Sequence, residues 1–246
     1  MSTPACPRLA ILGFHKIGPP PLGGWETWSY VPEAAFAGYL DVLRETGWEV
    51  IGLERFLAGL EVPQSLPGRG ALLTFDDGYR SNLTVAVPWL LRFGYPAVVF
   101  VPTDFIGQRN SFDTDVEPDE PICTWQELRE LGRAGVAVQS HGVSHRMFAA
   151  LDADELEAEL VRSKAVLEEG LGKPVEVFCY PYGDAGREPG QTARALRRAA
   201  YRAACLYGGG PNPVPPADPY RLARLAMGPD TDLRAALRLT EHGGTP

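Results

Sequence analysis

Two carboxylates stand side by side in Thr74-Phe75-Asp76-Asp77-Gly78-Tyr79, directly behind the apolar run Gly70-Ala71-Leu72-Leu73. Adjacent acids at the mouth of a buried strand repel each other and lose hydration, so folding alone gives no reason to put them there. A second polar cluster follows the apolar run Val136-Ala137-Val138, in Ser140-His141-Gly142-Val143-Ser144-His145. The chain has four histidines, and two of them fall in this one hexapeptide. An acid pair with a His-x-x-x-His pair is the minimum set for a divalent metal site that leaves one carboxylate over as a base. The chemistry these residue types support is metal-assisted hydrolysis.

The histidine spacing constrains the local backbone. Four residues apart on a strand means about 13 Å, too far to share an ion. On a helical turn the two β-carbons lie about 6 Å apart and both rings reach one metal. The strand ending near residue 139 is therefore expected to stop before His141 and turn at once into a helical turn.

The elements that must hold these clusters alternate along the chain. Short apolar runs without polar alternation, expected as strands, cover 9–14, 49–51, 71–75, 97–101, 136–139, 175–179, 203–206 and 222–226. Runs of this kind mark strands buried on both faces of a parallel sheet. Helices are expected at 33–46, 82–93 with a kink at Pro88, 125–134, 153–169, 190–200 and 231–240. Thr124 with Glu127 and Asp152 with Glu155 have the capping-box spacing that opens two of them. Repeated β-then-α reads as an α/β barrel or a doubly wound sheet, in a single domain over 1–246. His15 ends the first strand, Asp76 and Asp77 the third, His141 follows the fifth, and Tyr180-Pro181-Tyr182-Gly183-Asp184 the sixth. All lie at C-terminal strand ends, the rim where such folds build their sites.

Composition removes several other classes. A net charge of −8 argues against a nucleic-acid partner, which needs a basic face. No apolar run approaches the ~20 residues of a membrane span. No signal-peptide core precedes His15, so the chain as written reads as cytoplasmic. The scattered Cys6, Cys123, Cys179 and Cys205 read as free, buried thiols and not a disulfide framework. Nothing in the sequence sets the oligomeric state.

Taken together and in order, Thr74-Phe75-Asp76-Asp77-Gly78, Ser140-His141-x-x-x-His145 and Tyr180-Pro181-Tyr182-Gly183 resemble the first three motifs of the polysaccharide deacetylases. This is the NodB homology domain, carbohydrate esterase family 4, and the resemblance runs from Ile11 to about Leu239. It implies a distorted (β/α) barrel of about seven units and a metal-dependent enzyme that removes N- or O-linked acetyl groups from a carbohydrate. By position it makes Asp77, His141 and His145 the metal ligands and Asp76 the general base. It makes zinc the metal, with cobalt or nickel in some members, and the Tyr182 backbone N–H a donor to the developing oxyanion.

The chain departs from the commonest family pattern twice. The late Leu-x-His motif, which supplies the acid, has no histidine in Tyr220-Arg221-Leu222-Ala223-Arg224-Leu225. Gly13-Phe14-His15-Lys16-Ile17 instead resembles the start of a circularly permuted branch, which makes His15 the general acid. Cys179 stands where many members carry an arginine that orients the catalytic aspartate, and Arg224 is the candidate substitute. Trp125 resembles a rim position lining the sugar site. Two readings stay open beside deacetylation of a poly- or oligosaccharide: a hydrolase of a small amide, imide or acylated sugar, and a carbohydrate-binding pseudoenzyme. The acidic loop 104–123 bears on the choice, because it would narrow or charge the cleft.

Overall fold

The computed structural model describes residues 8–238; Cys6, His242 and the end of the helix expected at 231–240 lie outside them. The strands that form the barrel are β1 (Arg8–Phe14), β2 (Arg69–Phe75), β3 (Ala97–Val101), β4 (Val136–Ser140), β5 (Val177–Cys179), β6 (Ala203–Cys205) and β7 (Leu225–Ala226). β1 pairs with β2 in parallel over its whole length, and β2 to β6 then follow one another in order. Closure comes from residues 222–226. Leu222 bridges Cys205 of β6, while Leu225 and Ala226 pair in parallel with Leu12 and Gly13 of β1.

The barrel is distorted because two strand edges are shared. Glu49–Val50 pairs with the first half of β2 and β3 with its last residues. Asn212–Pro213 lies antiparallel on the start of β1, with β7 on its end. Around the strands pack α1 (Glu33–Glu45), α2 (Leu53–Glu61), α3 (Val87–Phe93), α4 (Trp125–Arg133), α5 (Ala153–Leu171), α6 (Pro189–Arg198) and α7 (Leu233–Arg238). None of the described helices is long and apolar enough to cross a membrane.

Period-two geometry sorts each strand between two cores. Leu9 and Ile11 join Leu72, Val98, Phe100, Val177 and Leu222 inside the barrel. Ala10, Leu12 and Phe14 face outward into the layer shared with the helices. Both faces are buried, so the strand sequences show no polar alternation. Both expected capping boxes form, Thr124 with Glu127 on α4 and Asp152 with Glu155 on α5. The kink expected at Pro88 takes a particular form: residues Asn82–Ala86 widen into a π turn and Pro88 sits in the first turn of α3. A wider turn accommodates the missing N–H and the ring's clash with the preceding carbonyl. Cys123, Cys179 and Cys205 are free and buried.

Candidate active site

The first strand-end problem is the acid pair. Successive residues of a continuing strand point to opposite faces, which would separate Asp76 from Asp77. Asp77 instead adopts a left-handed backbone at φ 67, followed by Gly78 at φ 72. Aspartate tolerates that region better than most side chains. The break turns both carboxylates into one cleft of about 350 Å³, which His15, His141, His145 and Tyr182 also line.

His141 and His145 do not sit on a helical turn, and that expectation is corrected. Residues 141–145 form an irregular loop with Gly142 at φ 82 and His145 at φ 56. A buried carboxylate on α5 organises it. Glu159 Oε2 accepts from the backbone N–H groups of Val143 at 2.6 Å and Ser144 at 3.1 Å, and Oε1 accepts from the Ser144 hydroxyl. A β-carbon on Gly142 would lie 2.8 Å from that Oε2, which explains a glycine there. A loop wound around one carboxylate brings the rings together as a helix turn would. Nothing local in the sequence announces Glu159 in this role.

His145 Nε2 lies 3.1 Å and His141 Nε2 3.4 Å from Asp77 Oδ1. Donors about 2.1 Å from a tetrahedral ion stand about 3.4 Å apart, so these separations fit a bound divalent metal. Asp77 Oδ1 has no hydrogen-bond partner despite full burial, as an oxygen reserved for a cation would be. Burial alone would raise the Asp77 carboxyl; the two imidazoles facing it outweigh that and hold it well below the ordinary carboxylate range. The His141 ring is fixed by Nδ1 against the Cys179 carbonyl at 2.7 Å, the second contact typical of a ligating imidazole. His145 has no such bond, and its Nδ1 is unpartnered. Its ring is instead held between Phe112 at 4.1 Å and Tyr182 at 4.7 Å, and the Tyr182 hydroxyl donates to Asp113 at 3.0 Å.

Asp76, His141 and Cys179 also lie close enough to share an ion. That position is already served by a cation. Arg224, almost fully buried, donates to both Asp76 oxygens at 2.7 and 2.6 Å and lies 3.0 Å from the Cys179 sulfur. Burial pushes the Cys179 thiol up, which disfavours the thiolate a metal needs. Burial would also raise Asp76, but the Arg224 charge and hydrogen bonds outweigh it and hold the carboxyl below its ordinary value. A β-carbon on Gly13 would come 3.3 Å from Arg224 Nη1, so the glycine of β1 makes room for the guanidinium. Arg224 thus lies where the sequence reading needed a substitute arginine.

His15 Nε2 lies 3.8 Å from Asp76 Oδ2, on the open side of the pair. Its ring meets Tyr207 edge-on at 5.2 Å, and its carbonyl accepts from Asn82 at 2.7 Å. Tyr182 has a left-handed backbone at φ 57 and a half-exposed ring on the cleft. Trp125 is placed elsewhere: its ring covers Gly170 of α5, where a β-carbon would come within 2.2 Å of the indole, and it does not line the cleft. The expectation of a sugar-lining Trp125 is corrected, since it is a helix-start residue packed between α4 and α5. Sequence reasoning missed Phe112, Tyr207 and Trp28 at the cleft. The acidic loop, which the sequence does point to, supplies Asp113 and Glu117 to the lining.

A model of the family described as polysaccharide deacetylase matches residues 64–204. The chain is similar to YxkH of Bacillus subtilis (strain 168), 23% identical over 172 residues that cover 70% of this chain and 57% of that one. It is 33% identical over 107 residues to the poly-beta-1,6-N-acetyl-D-glucosamine N-deacetylase of Escherichia coli (strain K12), covering 40% of this chain and 16% of that one. The chain therefore spans little more than half of the first relative and a small part of the second. Among solved structures, IcaB from Ammonifex degensii superposes with a TM-score of 0.76 at 23% identity, covering 91% of this chain and 93% of that one. That likeness carries the barrel fold.

Proposed function

We propose that this chain, which belongs to the polysaccharide deacetylase family, is a metal-dependent hydrolase that removes acetyl groups from an N-acetylated poly- or oligosaccharide. The observation that carries the reading is the convergence of Asp77, His141 and His145 beside an arginine-held Asp76 in one cleft. The similarity to an N-deacetylase of poly-beta-1,6-N-acetyl-D-glucosamine supports an amide-linked acetyl group on an amino sugar.

Asp77, His141 and His145 would hold a divalent ion, zinc first, with cobalt or nickel as alternatives. Such an ion, when bound, supplies the Lewis acidity that polarises the acetyl carbonyl and acidifies a water. Asp76, kept ionised by Arg224, accepts the proton of the attacking water. The bidentate guanidinium also fixes the carboxylate plane, so the base is oriented before substrate arrives. The Tyr182 backbone N–H, presented by the turn after β5, donates to the oxyanion. His15 Nε2 gives a proton to the leaving nitrogen as the C–N bond breaks, releasing acetate and a free amine. The acid comes from the end of β1, as in the permuted branch, because residues 220–225 carry no histidine.

Release of acetate from N-acetylglucosamine oligomers by the zinc-loaded protein tests the reading; no acetate from any oligomer would overturn it. His15→Ala is expected to keep its metal and to lose about 10²–10⁴-fold in kcat on the amide, with a much smaller loss on an aryl acetate. A phenolate leaves without a proton and an amine does not. Equal losses on the two substrates would make His15 a binding or structural residue.

The aromatic support of His145 gives a further expectation. Phe112→Ala should weaken zinc binding about tenfold, the low end for loss of a group that orients a ligand. Competition against a chelating dye measures it. An unchanged dissociation constant would mean that the loop backbone alone orients the ring.

A further inference from the structure

Trp28 is an exposed aromatic residue whose ring is held by a hydrogen bond and by packing. Its indole N–H donates to Asp230 at 2.9 Å, and its edge fills the space over Gly228, where a β-carbon would lie 2.0 Å from the ring. Gly228 is itself fixed, its carbonyl accepting from Tyr39 at 2.6 Å and its N–H donating to Thr231 at 2.9 Å. The residues on either side of Trp28 are tied to one carboxylate: Thr27 and Ser29 donate to Glu117 at 2.7 and 2.8 Å. Glu117 in turn accepts from the buried Lys16 at 2.6 Å. Two contacts to the ring and two more to its chain neighbours thus fix a side chain that remains 44% exposed. Among the described residues no ring or cation stacks on it, and it lines the same cleft as the acid pair and the histidines.

We propose that Trp28 is the stacking floor of a second sugar subsite, which takes a neutral or amino-sugar pyranose adjacent to the one that carries the acetyl group. This rests on the carbohydrate reading of the site. A pyranose has an apolar C–H face bordered by hydroxyls, and a rigid indole offers a large apolar face at little entropic cost. Asp113 lines the cleft with it and offers a carboxylate acceptor to a hydroxyl or an ammonium. The consequence is a preference for oligomers over single sugars.

The experiment uses glucosamine tetramers, β-1,4- and β-1,6-linked, which have no acetyl group left to lose and report binding without turnover. Calorimetry on the zinc-loaded protein is expected to show binding of at least one tetramer. Trp28→Ala should weaken it about tenfold, the scale of losing one ring stacked on an aromatic. Trp28→Phe, which keeps a flat ring, should recover most of that loss. In parallel, the ratio of kcat/KM on an acetylated tetramer to that on an aryl acetate should fall about tenfold in Trp28→Ala. No binding of either tetramer by the native protein, or equal affinity in Trp28→Ala, would overturn the subsite. Absence of acetate release together with Trp28-dependent tetramer binding would overturn the deacetylase reading and leave the subsite standing.

Discussion

Asp77→Ala, His141→Ala and His145→Ala are each expected to lose bound divalent metal and to drop acetyl hydrolysis to background. Three protein donors are the fewest that hold zinc with a position open for chemistry, and removing one leaves two. Elemental analysis after dialysis reads the first effect and acetate release the second. Circular dichroism should show that the barrel persists, since these side chains sit on loops beyond the strand ends. Cys179→Ala is the control that separates the two candidate trios. It should keep the metal, because Arg224 already occupies the neighbourhood of Asp76 and Cys179. Stoichiometric metal in any of the three alanine variants would remove that residue from the ligand set. Metal loss in Cys179→Ala would move the ion to the other trio.

Asp76→Asn should retain the metal yet lower kcat by about 10²–10⁴-fold, the usual contribution of a positioned proton acceptor. It should also destabilise the protein, because Arg224 would be left charged and buried without an anion. Breaking a buried pair from one side costs about 3–5 kcal/mol, on the order of 10 °C in Tm for a chain of this size. Arg224→Met should destabilise by a similar amount, leaving Asp76 unpaired. The double variant Asp76→Asn, Arg224→Met should recover much of the stability and none of the activity. That pattern separates the pair's structural role from its chemical one. If Asp76→Asn lost the metal while Asp77→Asn kept it, the roles of base and ligand would be reversed.

Most of the strand and helix order was legible because it rests on local signals. Unalternating apolar runs marked the doubly buried strands, and the two capping boxes marked the starts of α4 and α5. α2 went unread. Its N-cap is Gly52, which makes no side-chain cap hydrogen bond, so no capping box marks its start. The short pairing of Lys16–Ile17 with Tyr30–Val31 went unread as well, since two-residue strands have no period to detect.

The sequence by itself determined which chemistry this chain can host. Asp76, Asp77, His141 and His145 are residue types that the proposed metal-assisted hydrolysis requires, and the parallel-strand pattern assigns them to one rim. The tertiary structure decided which groups meet there. Strand parity places Gly13, Thr74, Cys179 and Arg224 inside the barrel, and the bond from Arg224 to Asp76 spans 148 residues of chain. The histidines converge through a loop wound on Glu159, and not through a helix turn. Trp125 was turned away from the cleft while Trp28 was fixed at it. The physical reason is one of range. Propensity and burial pattern are set by neighbours along the chain, whereas a charge's partner, a ring's packing and a ligand's orientation depend on distances that exist only once the barrel closes.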